Sequence, residues 1–144
     1  MKTPIFHEML HCVRPYHGKQ NPVRVEVMVW KAKAHGHQFL KALGHTWGRD
    51  HYAYFVPRID SDTIGTLHFL SRHLTMEVLA HECVHAAHAF ANYHSFREIL
   101  HCPYHIGHDR EECIAYVSGH LTMKLFQRLS ADLQLEMLLR EDHL

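Results

Sequence analysis

Five consecutive residues, His81-Glu82-Cys83-Val84-His85, carry side chains whose types and spacing suit metal-assisted hydrolysis. On an α-helix, residues four apart lie one above the other on a single face, so the two imidazoles can reach one metal ion. Glu82 is then a quarter-turn round, placed to touch a water bound to that ion and to take its proton. This HExxH arrangement is the working core of zinc-dependent hydrolases. With 18 histidines in 144 residues, the spacing alone proves little, and its surroundings have to agree.

The first requirement is a helix. From Thr75 the chain runs Thr-Met-Glu-Val-Leu-Ala-His-Glu-Cys-Val-His-Ala-Ala-His-Ala-Phe-Ala-Asn, without Gly or Pro and rich in alanine. Thr75 suits an N-cap. Val78, His81, His85 and His88 fall along one stripe, and Leu79, Cys83, Ala86 and Phe90 along another. This periodicity predicts a largely buried helix from about 76 to 93. The second requirement is a third ligand, because a catalytic zinc usually has three protein ligands and one open position. The metzincin pattern HExxHxxGxxH fails, since His88 stands where its glycine belongs and Ala91 where its third histidine belongs. Downstream, Asp109 to Tyr116 opens a second expected helix with Asp109 as N-cap.

Within that helix, Glu112-Cys113-Ile114-Ala115 resembles the Glu-x-x-Ala step of gluzincins, the metallopeptidases with HExxH plus a glutamate. The likeness runs from Leu79 to Tyr116, and the layout is similar to that of small phage and bacterial proteins with one zincin-like domain. The resemblance implies one zinc ion per chain, with His81, His85 and Glu112 as ligands and Glu82 as general base. Glu111 is the neighbouring alternative. Two departures stand out. Twenty-six residues separate His85 from Glu112, more than in the large gluzincins, and Tyr116 stands where thermolysin-like enzymes carry an orienting aspartate. His101, His105 and His108, in the intervening loop, are rival ligands. Asp109-x-x-Glu112 also matches a capping box, in which the glutamate bonds only backbone N–H groups. For the donor that steadies a developing oxyanion, Tyr104 is favoured because it lies in the loop, with Tyr93, His105 and Tyr116 as alternatives.

The remaining elements must position this helix. Residues 1–20, with Pro4, Pro15 and Gly18, read as irregular. Val23 to Trp30 alternates as a half-buried strand, His51 to Pro57 reads as a second, and Ile64 to Leu70 as a third. Gln38 to Leu43 reads as a short helical turn stopped at Gly44. The second long helix continues to about Leu129, and residues 131–141 suit a last amphipathic helix. Strands followed by helices predict an α+β fold: a sheet of about three strands on the HExxH helix and a second ligand-bearing helix, in one domain spanning 1–144. Ile64 to His68 is the expected edge strand, against which an extended peptide would pair.

Composition narrows the function. At 47% hydrophobic the chain can bury a proper core. Zero formal net charge speaks against a nucleic-acid binder that relies on a basic surface. There is no apolar run of membrane-spanning length and no signal-peptide core, so no membrane partner and a cytoplasmic location are expected. Cys12, Cys83, Cys102 and Cys113 are scattered without a CxxC pair, which suits free thiols, those on the helices packed as small apolar residues. His101 to His108 gathers three histidines and Cys102, a possible second metal cluster, although a polar loop at the cleft rim accounts for it. The expected function is a zinc metallopeptidase acting on a peptide or protein substrate. From a different class, a zinc-bearing interaction or regulatory protein with a structural or vestigial site is the alternative.

Overall fold

Val25, Val27 and Val29 alternate with Glu26, Met28 and Trp30, and the strand they build is covered on both sides. In the computed structural model, which describes residues 2–13, 23–58, 62–93 and 110–132, this strand is β2 (Arg24–Trp30). It pairs in parallel with β4 (Thr63–Leu70), every residue of which is buried. Parallel strands need cover on both faces, which is why this central pair carries so little polar sequence. β1 (Phe6–His11) lies antiparallel on β2, and β3 (Ala53–Pro57) lies antiparallel on β4. The mixed sheet thus has the order β1-β2-β4-β3.

Two layers cover the sheet. Val27, Val29, Leu67 and Phe69 face α2 (Met76–Tyr93) and α3 (Arg110–Asp132), meeting Leu79, Cys83, Ala86 and Phe90 of the first and Val117, Leu121 and Leu125 of the second. Met28, Trp30, Val56 and Leu70 face the other way, under Leu40 of α1 (Lys33–Ala42) and Trp47 of the loop that follows. The Arg110 guanidinium donates to Asn92 Oδ1 at 2.6 Å, pinning the start of α3 to the end of α2. No helix among the described residues is long and apolar enough to cross a membrane.

The architecture is α+β, with four strands rather than three. The additional strand, β1, falls in the stretch read as irregular. Only Phe6 and Leu10 of its six residues are buried, and between them Glu8 turns toward Arg128 of α3 at 3.8 Å. The alternation was therefore broken by an ion-paired residue. A second correction concerns the edge: β4 is central, and β3 is the edge strand on the α2 side of the molecule. α1 is also longer than the expected turn at 38–43, beginning at Lys33. The predicted bounds of α2 agree with the structure, and Thr75 caps it, its Oγ1 accepting from Val78 N–H at 3.2 Å. Beyond residue 132 the expected C-terminal helix lies outside the described residues, as does Asp109.

Candidate metal centre

α2 must present two unlike faces. Cys83, Ala86, Ala87 and Phe90 are buried against the sheet and α3, while His81, Val84, His85 and His88 are exposed. Glu82 sits between these faces, directed toward β3.

His81 and His85 turn their rings to each other, with Nε2 atoms 3.3 Å apart and ring planes 72° from parallel. Two nitrogens held at about 2.0–2.1 Å from a tetrahedral zinc ion stand about 3.3–3.4 Å apart, the edge of that tetrahedron. The pair is therefore spaced as two ligands of one ion are. Glu82 Oε1 lies 3.9 Å from His81 Nε2, and ligand atoms of all three residues fall within 4.8 Å of one another. Among the described residues this is the one cluster of its kind, and it could hold a metal ion. Imidazole and carboxylate donors suit several divalent transition metals, zinc included.

Exposure sets Glu82 apart from His81. The His81 side chain is 70% exposed, whereas that of Glu82 is 10% exposed. Burial pushes the Glu82 carboxyl above the usual carboxylate range, and the positive potential of His85, His81 and His51 partly offsets that shift. No hydrogen bond to Glu82 is found among the described residues; its nearest charged neighbour there is His81, at 3.9 Å. A buried carboxylate without a donor is costly unless something else engages it.

The cluster lies where two cavities meet. One, of about 420 Å³, opens between β3 and the second half of α2, with Tyr54 and Phe55 on one wall and His85, His88 and Asn92 on the other. The second, of about 260 Å³, lies on the other flank and is lined by Asp50, Tyr52, Glu77 and Val78. His51, Ala53, His81 and Glu82 line both. The cleft thus runs along the edge strand and passes the histidine pair midway.

His51 is the residue that sequence reasoning missed. Its loop is fixed from behind: Trp47 Nε1 donates to the His51 carbonyl at 2.9 Å, and Lys33 Nζ donates to the Arg49 carbonyl at 2.6 Å. Trp47 is buried against the sheet, so the loop cannot drift from the cleft without opening that layer. The only sequence signal was position, a histidine directly before a strand expected beside the metal helix.

Glu112 is not brought into the cluster. It is exposed in the first turn of α3 and lines neither cavity, and Glu111 beside it is exposed as well. Tyr116 is half-buried and stacks on His120, away from both cavities. Tyr104, His101, His105 and His108 lie outside the described residues, and so does the side chain of Tyr93. His88 lines the larger cavity without joining the cluster. Cys12, Cys83 and Cys113 are free and buried. Burial raises the Cys83 thiol to about 12 and the Cys113 thiol to about 11, so these act as small apolar residues rather than nucleophiles.

Comparison of the chain with protein families, with curated proteins and with solved structures brings up no match.

Proposed function

We propose that this protein is a zinc-dependent hydrolase, and that its substrates are peptides or proteins. The observation that carries the reading is the His81–His85 pair, set at ligand spacing beside a buried carboxylate that has no hydrogen bond among the described residues, on the floor of a cleft. A zinc ion held there would polarise a water molecule and the substrate carbonyl. Glu82, its proton affinity raised by burial, would accept the proton of that water and return it to the leaving amine. β3 would supply the binding frame: as an edge strand beside the larger cavity, it offers backbone groups to an extended peptide. His51, within the field of Glu82 and lining both cavities, would contact the substrate near the reacting bond.

For the third ligand we propose Glu112 on its resemblance to the gluzincin step alone, since here it stands exposed and outside the cluster. His51, Glu111 and the loop histidines are the alternatives that ligand-by-ligand metal analysis separates. A structural zinc site has its coordination closed by protein ligands. The opening of His81 and Glu82 onto two cavities favours a catalytic site over the structural or vestigial one of an interaction protein.

The test uses wild-type protein and Glu82→Gln, both zinc-loaded, incubated with a diverse peptide library and read by mass spectrometry. The variant should hold as much zinc as wild type and cleave at least about 100-fold more slowly, the lower bound for a lost general base. Cleavage by Glu82→Gln at the wild-type rate would remove Glu82 from the chemistry. Zinc retained by a wild type that cleaves nothing would favour the interaction protein.

A further inference from the structure

Behind the cleft wall lies a cavity of about 310 Å³ that, among the described residues, is lined by cations and by no carboxylate. Lys31 and Lys33 border it at the start of α1, Arg49 in the loop before β3, and Arg72 and His73 in the 3-10 turn after β4. The chain has zero formal net charge, so this is segregation rather than excess. The acidic counterparts, Asp50 and Glu77, border the neighbouring 260 Å³ cavity instead. Like charges that converge on a concave surface repel one another unless an anion shares the space, and the field they focus attracts one.

Two further features of the same cavity point to an anion. α1 starts at Lys33 behind Ala32, which lines the cavity and makes no side-chain capping bond, and its first turn holds no acidic residue. His35 N–H bonds the Ala32 carbonyl, and the remaining N–H groups and the positive end of the helix dipole have no anion of the protein's own among the described residues. Beside them Tyr52 and His73 stack with ring centroids 4.2 Å apart and planes 18° from parallel, forming a fixed flat wall. The frame is held together, since Lys33 Nζ ties the start of α1 to the Gly48 and Arg49 carbonyls.

We propose that this cavity is a binding site for a phosphate group. Lys31, Lys33 and Arg49 together with a helix end exceed what one carboxylate neutralises, whereas a phosphate brings up to about two charges and several strong acceptor oxygens. The site is separate from the metal centre: it uses none of His81, Glu82 or His85. It nevertheless adjoins the cleft, because Tyr52 lines both this cavity and the smaller cleft cavity. A phosphorylated ligand would sit against the back of the wall that positions His51.

The test is an NMR titration of metal-free protein with inorganic pyrophosphate at constant ionic strength, beside the double variant Lys31→Gln/Arg49→Gln. Working without metal keeps phosphate from binding at the histidine pair and makes the result independent of the hydrolase reading. Both substituted side chains are exposed and have no ion pair among the described residues, so the fold should persist, as an unchanged spectrum away from the cavity will verify. Saturable shifts at Lys33, Tyr52 and His73 are expected, with affinity about tenfold or more weaker in the double variant. Tighter binding of a phosphorylated ring compound than of pyrophosphate would assign the Tyr52–His73 face to the ring, and equal binding would assign the site to phosphate alone. Shifts that do not saturate, that centre elsewhere, or that titrate equally in the double variant would overturn the proposal.

Discussion

Acidification should destabilise this protein through one buried histidine, His68. It is 1% exposed at the centre of the sheet, and its Nδ1 accepts a hydrogen bond from Trp30 Nε1 at 3.0 Å. The rings of Trp30, Phe39 and Trp47 surround it. A nitrogen that accepts cannot also carry a proton, and burial holds the His68 pKa at about 4, against an ordinary value of 6.5. The shift corresponds to about 3 kcal/mol. Its sign follows from proton counting: between pH 6.5 and 4 the unfolded chain binds the proton and the folded chain does not. Stability from this residue is therefore intact above pH 6.5, falls as pH drops through that window, and is fully lost near the lower end. Urea unfolding at pH 7 and pH 4.5, on wild type and His68→Gln, isolates the effect. Glutamine can still accept from Trp30 but does not titrate, and all other groups are shared by the two proteins. Wild type should lose about 2 kcal/mol more than the variant on going from pH 7 to 4.5. An equal loss in both would refute the assignment of a neutral, acceptor His68. The consequence reaches the cleft, because the same aromatic layer holds Trp47 and through it the loop of His51.

Metal analysis by mass spectrometry should find about one zinc ion per chain in wild type, sharply less in His85→Ala, and less in Glu112→Ala; undiminished zinc in the latter would transfer the third-ligand role to another residue. Gly65→Ala should destabilise by about 3 kcal/mol or more in thermal unfolding, because Gly65 has φ 152° and an added Cβ would stand 2.3 Å from the Val56 carbonyl oxygen, forcing β3 off β4. Wild-type stability in that variant would mean the β4 irregularity relaxes freely. Thr75→Ala should cost about 1 kcal/mol in urea unfolding through loss of the cap bond to Val78, and no loss would show that the helix start is held by packing alone.

What could be read from the sequence was whatever is local. α2 declared itself because its cap, its period and its lack of Gly and Pro are all properties of one continuous stretch. β2 and β4 were legible from their apolar density. Pairing order was not, since it depends on residues far apart in the chain. Even so, one clue to the edge was present: residues 64–70 are apolar or small almost throughout, as a strand covered on both faces requires, whereas β3 ends at Pro57, a residue suited to an edge. At the site, the i, i+4 pair was legible for the same local reason as its helix. His51 was not, because it is one of 18 histidines and reaches the cleft only through the Trp47 and Lys33 contacts of its loop. His68 was hidden likewise, its partner Trp30 lying 38 residues away.

The strongest argument for the proposed site on α2 is what the helix gives up in stability. Positions 79, 83, 86 and 90 carry the apolar residues that pack the helix, and at the neighbouring position 82 an alanine or leucine would extend that packing. The chain instead places a carboxylate there, nine-tenths buried and without a hydrogen bond among the described residues. Burial costs such a group solvation whether it is charged or neutral, and the 3.9 Å approach to His81 is too long to repay it. The two exposed imidazoles likewise gain little by facing each other at 3.3 Å rather than extending into water. Each choice is unfavourable alone, yet all three converge on one point at the junction of two cavities. Local losses gathered at one place are what a site for a cation and a polarised water requires, and stability alone gives no reason to gather them.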